Sequence, residues 1–338
     1  MTDTQQTVHP VDYDGTEREG CIIGEPNDCY HASDAISNTK LWEFHKRPAL
    51  FFGKYVSKEV ERKESAALLI GSALHTIVLE GQDAFDHEYC PSPEGLEWRS
   101  KAGKLEAAHA LNDMLFEPRT VYEVEQVATG KREEIEAFFA QYPGRKILYP
   151  DQFEIVQKCH EALLAHPIAS KLLASGLPEV VFRSPMTTHG YRVQCRADWL
   201  NINGCEYTDG EPYGVDLKSI DDLSKWNNNF RKLGYYRAWP FYTKTMELTI
   251  GHADVVKRWF WIVVEKAYPF EVRVVTPSPE CWQRGMDELG YDMPALANAI
   301  HHNDFADEGK DKVLLQQLPD WMLDAPVKAG IPAVETID

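Results

Sequence analysis

The sequence is short of positive charge. Its 338 residues carry 35 Lys and Arg against 53 Asp and Glu, a formal net charge of −18. Sequence-independent affinity for nucleic acid comes from Lys and Arg set against phosphates, so a protein coated in basic residues is excluded. A local basic channel is not excluded, because the field in a cleft depends on where charges sit as well as on their sum. Carboxylates that hold a metal ion also add to the negative total. Long apolar runs are missing too, and none would span a bilayer. The opening "MTDTQQTVHPVDYDGTEREG" is polar and has no signal-peptide core. These features read as a cytoplasmic protein with no membrane partner and a flexible leader over residues 1–28. Paired cysteines are absent as well. Cys21, Cys29, Cys90, Cys159, Cys195, Cys205 and Cys281 form no CxxC and no spacing of zinc or iron–sulfur type. They are expected as reduced and mostly buried thiols. There is no repeat and no low-complexity segment.

What is present reads as an ordered α/β chain. "AISNTKLWEFHKRPALFFGKYV" predicts a short helix capped by Ser37 or Asn38, with Leu41 and Phe44 on one face and Pro48 at its stop. "SKEVERKESAALLIGSALHTIVLEG" predicts a long helix that turns apolar toward Gly81. A helical insertion is expected over about residues 83–178. Then "EVVFRS", "YRVQCRADWL" and "YGVDLKS" have the alternation or apolar density of strands, separated by polar turns. A helix is expected over 224–247. "RWFWIVVEKA" and "FEVRVVTP" follow as strands, and "SPECWQRGMDELGYDMPALANAIHHN" as a closing helix. This order gives a mixed sheet and not a regular βαβ alternation.

Several residues on this frame are candidates for chemistry. Asp216 and Lys218 in "VDLKS" are two apart, so in a strand they share a face. Asp198 in "RADWL" lies near the end of the preceding strand. If the two strands pair, both carboxylates converge, and two carboxylates with water and phosphate oxygens suit Mg²⁺. A lysine beside them orients a water or stabilises charge on a phosphate under attack. The plain alternative is a surface ion pair. His75 lies on the apolar helix one turn after Gly71, which leaves room for something to approach; a hydrogen-bonded core histidine is the alternative. Glu179 in "PEVVFRS" enters the first strand and either reaches the same place or is an exposed strand-end acid. Arg99, Lys101 and Lys104 in "EWRSKAGK" are either phosphate contacts or a solvated loop. "YYRAWPFY" packs aromatics densely enough to stack on bases or to line a core.

Taken together, these segments resemble the PD-(D/E)XK nucleases, and within them the RecE-like, exonuclease VIII group carried by phages and prophages. "CYHASDAISNTKLWEFHKRPALFF" is similar to that group's N-terminal signature, and "GSALHTIVLEG" to its Gly-x-x-x-His helix. "RADWL" and "VDLKS" resemble its second and third nuclease motifs, and "WIVVEKAYPFEV" the strands that follow. The resemblance implies a PD-(D/E)XK core, a mixed central sheet flanked by helices, in a single domain over 29–325 with a tail at 326–338. It implies metal ligation by Asp198, Asp216 and the Leu217 carbonyl, with His75 approaching from the helix, Glu179 supporting a second metal and Lys218 as the catalytic lysine. The implied ion is Mg²⁺, with Mn²⁺ as substitute. The implied activity is exonucleolytic digestion of linear double-stranded DNA from 5′ ends, leaving 3′ single strands for a single-strand annealing protein. A ring-shaped homo-oligomer with a basic inner channel is implied too. The chain departs from the group at Ala197, Ser219, Ala238 and Pro240. Ala238 stands where the group has a glutamine that faces the site, and alanine cannot make its hydrogen bonds. Pro240 is expected to kink the helix. Arg237 beside it is a further candidate contact for DNA. The alternative implied by the departures is a weakened nuclease fold that serves as a DNA-end or protein-binding module.

Overall fold

The computed structural model describes Val8 and residues 10–60, 66–91, 140–141, 144–307 and Val313. Its strands are Val11–Asp12 (β1), Gly20–Ile23 (β2), Tyr89–Pro91 (β3), Lys146–Leu148 (β4), Leu177–Arg183 (β5), Gln194–Asn201 (β6), Tyr213–Ile220 (β7), Arg258–Glu265 (β8) and Val272–Val275 (β9). Seven of them form one sheet in the order β1-β2-β5-β6-β7-β8-β9, and β3 and β4 pair separately. The sheet is mixed. Strands β2, β5, β6 and β7 run antiparallel in turn, β7 and β8 are parallel, and β9 returns antiparallel to β8. Parallel neighbours need a crossover, and two helices supply it here, Trp226–Lys232 and Ala238–Ile250.

Alternation along the strands divides the core into two layers. In β8, Trp259, Trp261 and Val263 join one cluster, while Ile262 and Val264 join the other. In β7, Val215 and Leu217 face the second cluster, which leaves Asp216 and Lys218 on the opposite side. The helices, numbered in chain order, are α1 (Asn27–Ala32), α2 (Asn38–Lys46), α3 (Pro48–Phe51), α4 (Ala66–His75), α5 (Gln82–Glu88), α6 (Pro150–Ala165), α7 (Ala169–Leu172), α8 (Trp226–Lys232), α9 (Ala238–Ile250) and α10 (Pro279–His302). Leu41 of α2, Phe241 and Met246 of α9, and Leu289 and Leu296 of α10 cover the first face. Ala73 and Leu74 of α4 and Val156, Cys159 and Leu163 of α6 cover the second. Ser37 caps α2 by accepting from the Lys40 N–H at 3.3 Å. Helix α4 runs on through a π-helical turn, Thr76–Glu80, and stops at Gly81, whose φ of +95° suits glycine. No helix among the described residues is long and apolar enough to cross a membrane.

Three expectations change. Part of the leader is not flexible: β1 and β2 extend the sheet, and Cys21 and Ile22 are buried there. Glu25 just beyond them is buried against Arg183 of β5 at 2.9 Å. The helical insertion contains a small parallel pair, β3 with β4. The helix over 224–247 is broken. Gly234 adopts φ +70° between α8 and a 3₁₀ turn, Tyr235–Arg237, and α9 starts afresh at Ala238. Pro240 therefore stands in the first turn of α9, where an N–H has no acceptor within the helix to lose. Its ring packs on α10 instead: a Cβ added to Gly285 would lie 2.5 Å from Pro240 Cγ.

Candidate active site

The site is built at a fork in the sheet. The β6–β7 ladder runs from Asn201↔Tyr213 to Trp199↔Val215 and then ends. Asp198 and Asp216 come one step later, where the strands part and their side chains enter the gap. Asp198 bridges the opening, its Oδ2 accepting the Leu217 N–H at 2.7 Å. On the other side β5 is irregular at the same level. Its register with β6 passes from Pro178↔Trp199 to Val180↔Ala197, and Glu179 between them has φ +49°. A left-handed non-glycine residue in a strand costs about 1–3 kcal/mol and persists only where its surroundings impose it. The alternation of β6 slips there too, since Ala197 joins the first core cluster and Trp199 the second.

The surroundings of Glu179 are charged. Arg196 Nε lies 2.7 Å from one carboxylate oxygen, and His75 Nδ1 lies 3.6 Å from the other. His75 is carried in by α4, which packs on β7: a Cβ on Gly71 would make an ordinary van der Waals contact, 3.6 Å, with Ser219 Oγ. The neighbour that Gly71 meets is thus the Ser219 side chain of the strand. His75 Nε2 donates to the Leu217 carbonyl at 2.9 Å, and Nδ1 lies 3.7 Å from Asp198 Oδ2. Burial works against its imidazolium, but Asp198 and Glu179 outweigh it and its pKa rises. Burial also works against the Glu179 carboxylate. Its hydrogen bond with His75 and the nearby Arg196 outweigh that and hold its pKa below the usual value.

Asp216 and Lys218 share a face, as their spacing requires, and are ion-paired. Lys218 Nζ also lies 3.3 Å from the Leu217 carbonyl and 5.6 Å from the centre of the Tyr235 ring. Burial lifts the Asp216 carboxyl to about 6; Lys218 opposes the shift and Asp198 adds to it. Burial disfavours the Lys218 ammonium, but Asp216 and Asp198 overcome it and hold the lysine charged. The backbone of one residue, Leu217, organises the whole. The Leu217 N–H goes to Asp198, and its carbonyl receives both His75 and Lys218.

Ligand atoms of His75, Glu179 and Asp198 all lie within 4.8 Å of one another. Asp216 adjoins them but turns to Lys218, and the Leu217 carbonyl is engaged by two donors. The donor set fits a divalent ion. Carboxylate oxygens, a carbonyl and an imidazole suit Mg²⁺ or Mn²⁺, and among the described residues the permanent cations paired with the three carboxylates are Arg196 and Lys218. Arg99, Lys101 and Lys104 lie outside the described residues. Arg237 is not at the site surface. It is fully buried, with Nη2 2.6 Å from Asp292 Oδ2, so it offers nothing to a phosphate. Ala238 is buried at the start of α9. Sequence reasoning gave no role to Arg196, and it read Tyr235 only as one of the aromatics of "YYRAWPFY", for stacking on bases or lining a core. Arg196 was within reach, because it precedes Asp198 by two and so falls on its side of a strand.

A family model described as a PDDEXK-like domain of unknown function (DUF3799) matches residues 37–310. The crystal structure of a Eubacterium rectale protein, provisionally named an exonuclease, superposes with a TM-score of 0.51. It covers 90% of this chain and 100% of that one at 14% sequence identity, a likeness of fold. No curated protein matches.

Proposed function

The chain belongs to the PDDEXK-like domain family, and from that premise we propose that it is a divalent-metal-dependent DNA nuclease, an exonuclease on linear duplex. The observation that carries this is the fork at Asp198 and Asp216, where, among the described residues, carboxylates outnumber fixed cations beside a charged lysine. An excess of negative charge beside a strained strand residue is a poor stabilising device and a good receptor for a divalent ion. His75, Glu179 and Asp198 would hold it, joined by Asp216 once that carboxylate leaves Lys218, with Mg²⁺ the preferred ion and Mn²⁺ a substitute. Bound there, the ion would activate water and screen the phosphodiester charge. The chain does the rest. Lys218 keeps its proton beside Asp216 and faces the negative charge that builds on the phosphate during attack. Arg196 holds Glu179 in place from behind.

Exonucleolytic action from 5′ ends, with a ring-shaped assembly and a single-strand annealing partner, extends the proposal. Its support is the similarity of "GSALHTIVLEG", "RADWL" and "VDLKS" to the RecE-like motifs. A second reading, a DNA-end binding module, is favoured by one observation, the buried Ala238 where that group carries glutamine. The deciding experiment is nucleotide release from 5′-labelled linear duplex in Mg²⁺, with EDTA and covalently closed circular duplex as controls. Release from the linear form alone, abolished by EDTA, is the expected result. Tight binding of the linear duplex with no release in Mg²⁺ or Mn²⁺ would hand the protein to the second reading.

A further inference from the structure

Arg237 is a fully buried cation that no part of the metal site explains. It closes the 3₁₀ turn Tyr235–Arg237 that links Gly234 to α9. Besides Asp292 at 2.6 Å, its guanidinium approaches Glu288 Oε2 at 3.5 Å and lies 4.9 Å over the Trp42 ring. Each partner is itself held. Asp292 Oδ1 lies 2.9 Å from His45 Nδ1, and Glu288 Oε2 accepts from the Tyr236 hydroxyl at 2.7 Å. Trp42 also seals Gly234, where an added Cβ would come within 2.8 Å of the indole. The turn is thereby fastened to α2 on one side and α10 on the other.

What the turn presents on its remaining side is Tyr235. Its ring stacks on Trp226 at 5.7 Å and 28°, and its centre lies 5.6 Å from Lys218 Nζ. Lys218 needs such a neighbour. A lysine ammonium ends a flexible four-carbon stem with three rotatable donors. The ion pair with Asp216 and the contact with the Leu217 carbonyl both draw it back toward the strand. An aromatic face attracts a cation through its quadrupole and shields it from water.

We propose that Tyr235 is a positioning residue for Lys218, and that the buried Arg237 acts through the turn to keep the ring in place. The proposal rests on Lys218 having the role given above, and it has its own readout. Tyr235→Phe keeps the ring and Tyr235→Leu removes it. Two measurements are made on each. One is the single-turnover rate of linear duplex hydrolysis in Mg²⁺, alongside duplex affinity in Ca²⁺. The other is the rate of Lys218 acetylation by acetic anhydride in metal-free protein, read by peptide mass mapping. Tyr235→Phe should match wild type in both. Tyr235→Leu should lose about tenfold in hydrolysis, the size expected of one shielded cation–ring contact, with duplex affinity unchanged and Lys218 acetylated several-fold faster. Arg237→Met, checked for folding by circular dichroism, should follow Tyr235→Leu in direction. The proposal is overturned if Tyr235→Phe is as impaired as Tyr235→Leu, or if Tyr235→Leu leaves the acetylation of Lys218 unchanged. If wild type hydrolyses nothing in any metal, the nuclease reading fails, while the acetylation rates still decide whether Tyr235 holds Lys218.

Discussion

Strand β5 carries a charged residue near each end, and the two ends are finished differently. At Arg183 the guanidinium is fully buried and matched. Glu25 takes Nη2 at 2.9 and 3.1 Å, Gln194 takes Nε at 3.0 Å, and the Arg18 carbonyl takes Nη1 at 3.1 Å. At Glu179 the backbone is left-handed, Arg196 and His75 compete for the carboxylate, and Asp198 and Asp216 add further negative charge next door. The first end is satisfied and dry. The second is left with more acid than base. A buried pair that only holds a fold needs balance, whereas a receptor for a cation needs imbalance, and the two ends of one strand show both.

That contrast can be broken by mutation. The largest effect belongs to the unbalanced end. Asp198→Ala and Asp216→Ala should each lower Mg²⁺-dependent hydrolysis by at least about 10³-fold, beyond the 10² to 10³ that loss of one oriented donor costs. Their thermal melts should still show a cooperative fold, and a variant with wild-type turnover would remove its residue from the site. The balanced end should behave in the opposite way. Glu25→Ala leaves the Arg183 charge buried and is expected to cost about 3–5 kcal/mol in urea unfolding. The folded fraction should keep its hydrolytic rate. An unaltered unfolding midpoint would show that the pair contributes little.

Two smaller effects sharpen the comparison. Because Pro240 sits in the first turn of α9, Ala238→Gln by itself tests whether a side-chain amide improves the site. Turnover on linear duplex should rise, by up to about 10²-fold, if the amide becomes an oriented donor. No gain with the fold intact would mean that the chain works without one. The smallest effect is one of pH. His75 has a folded-state pKa raised above 6.5, so its extra stabilisation is fully present below about that value and fades as pH rises through the folded one. In EDTA, the melting temperature of wild type should therefore gain on that of His75→Asn as pH falls from 8 to 6. A gap that does not change with pH would mean that His75 is neutral throughout.

The strands around the fork were legible because their code is local. Alternation in "YGVDLKS" and "RWFWIVVEKA" fixes which side chains face which layer, and a spacing of two puts Asp216 beside Lys218. The residues that misled have distant partners. Glu25 finds Arg183, 158 positions away, and nothing near the polar leader announces a strand. Arg237 looks like any surface arginine until α10 brings up Glu288 and Asp292. The indole packed against the break at Gly234 belongs to Trp42, far back in α2. Glu179 was legible as an acid but not as a distorted one, since a left-handed turn inside a strand is imposed by its charged neighbours and not by its own preference.

The backbone of Leu217 carries a consequence for inheritance. Its N–H and carbonyl tie Asp198, His75 and Lys218 together, while its side chain does nothing but fill the core beneath. Any apolar residue of similar volume would keep those three contacts. The centre of the site is thus written in the main chain, where substitution leaves no mark. Relatives with different residues at this position can share it unseen, provided that β7 keeps its register.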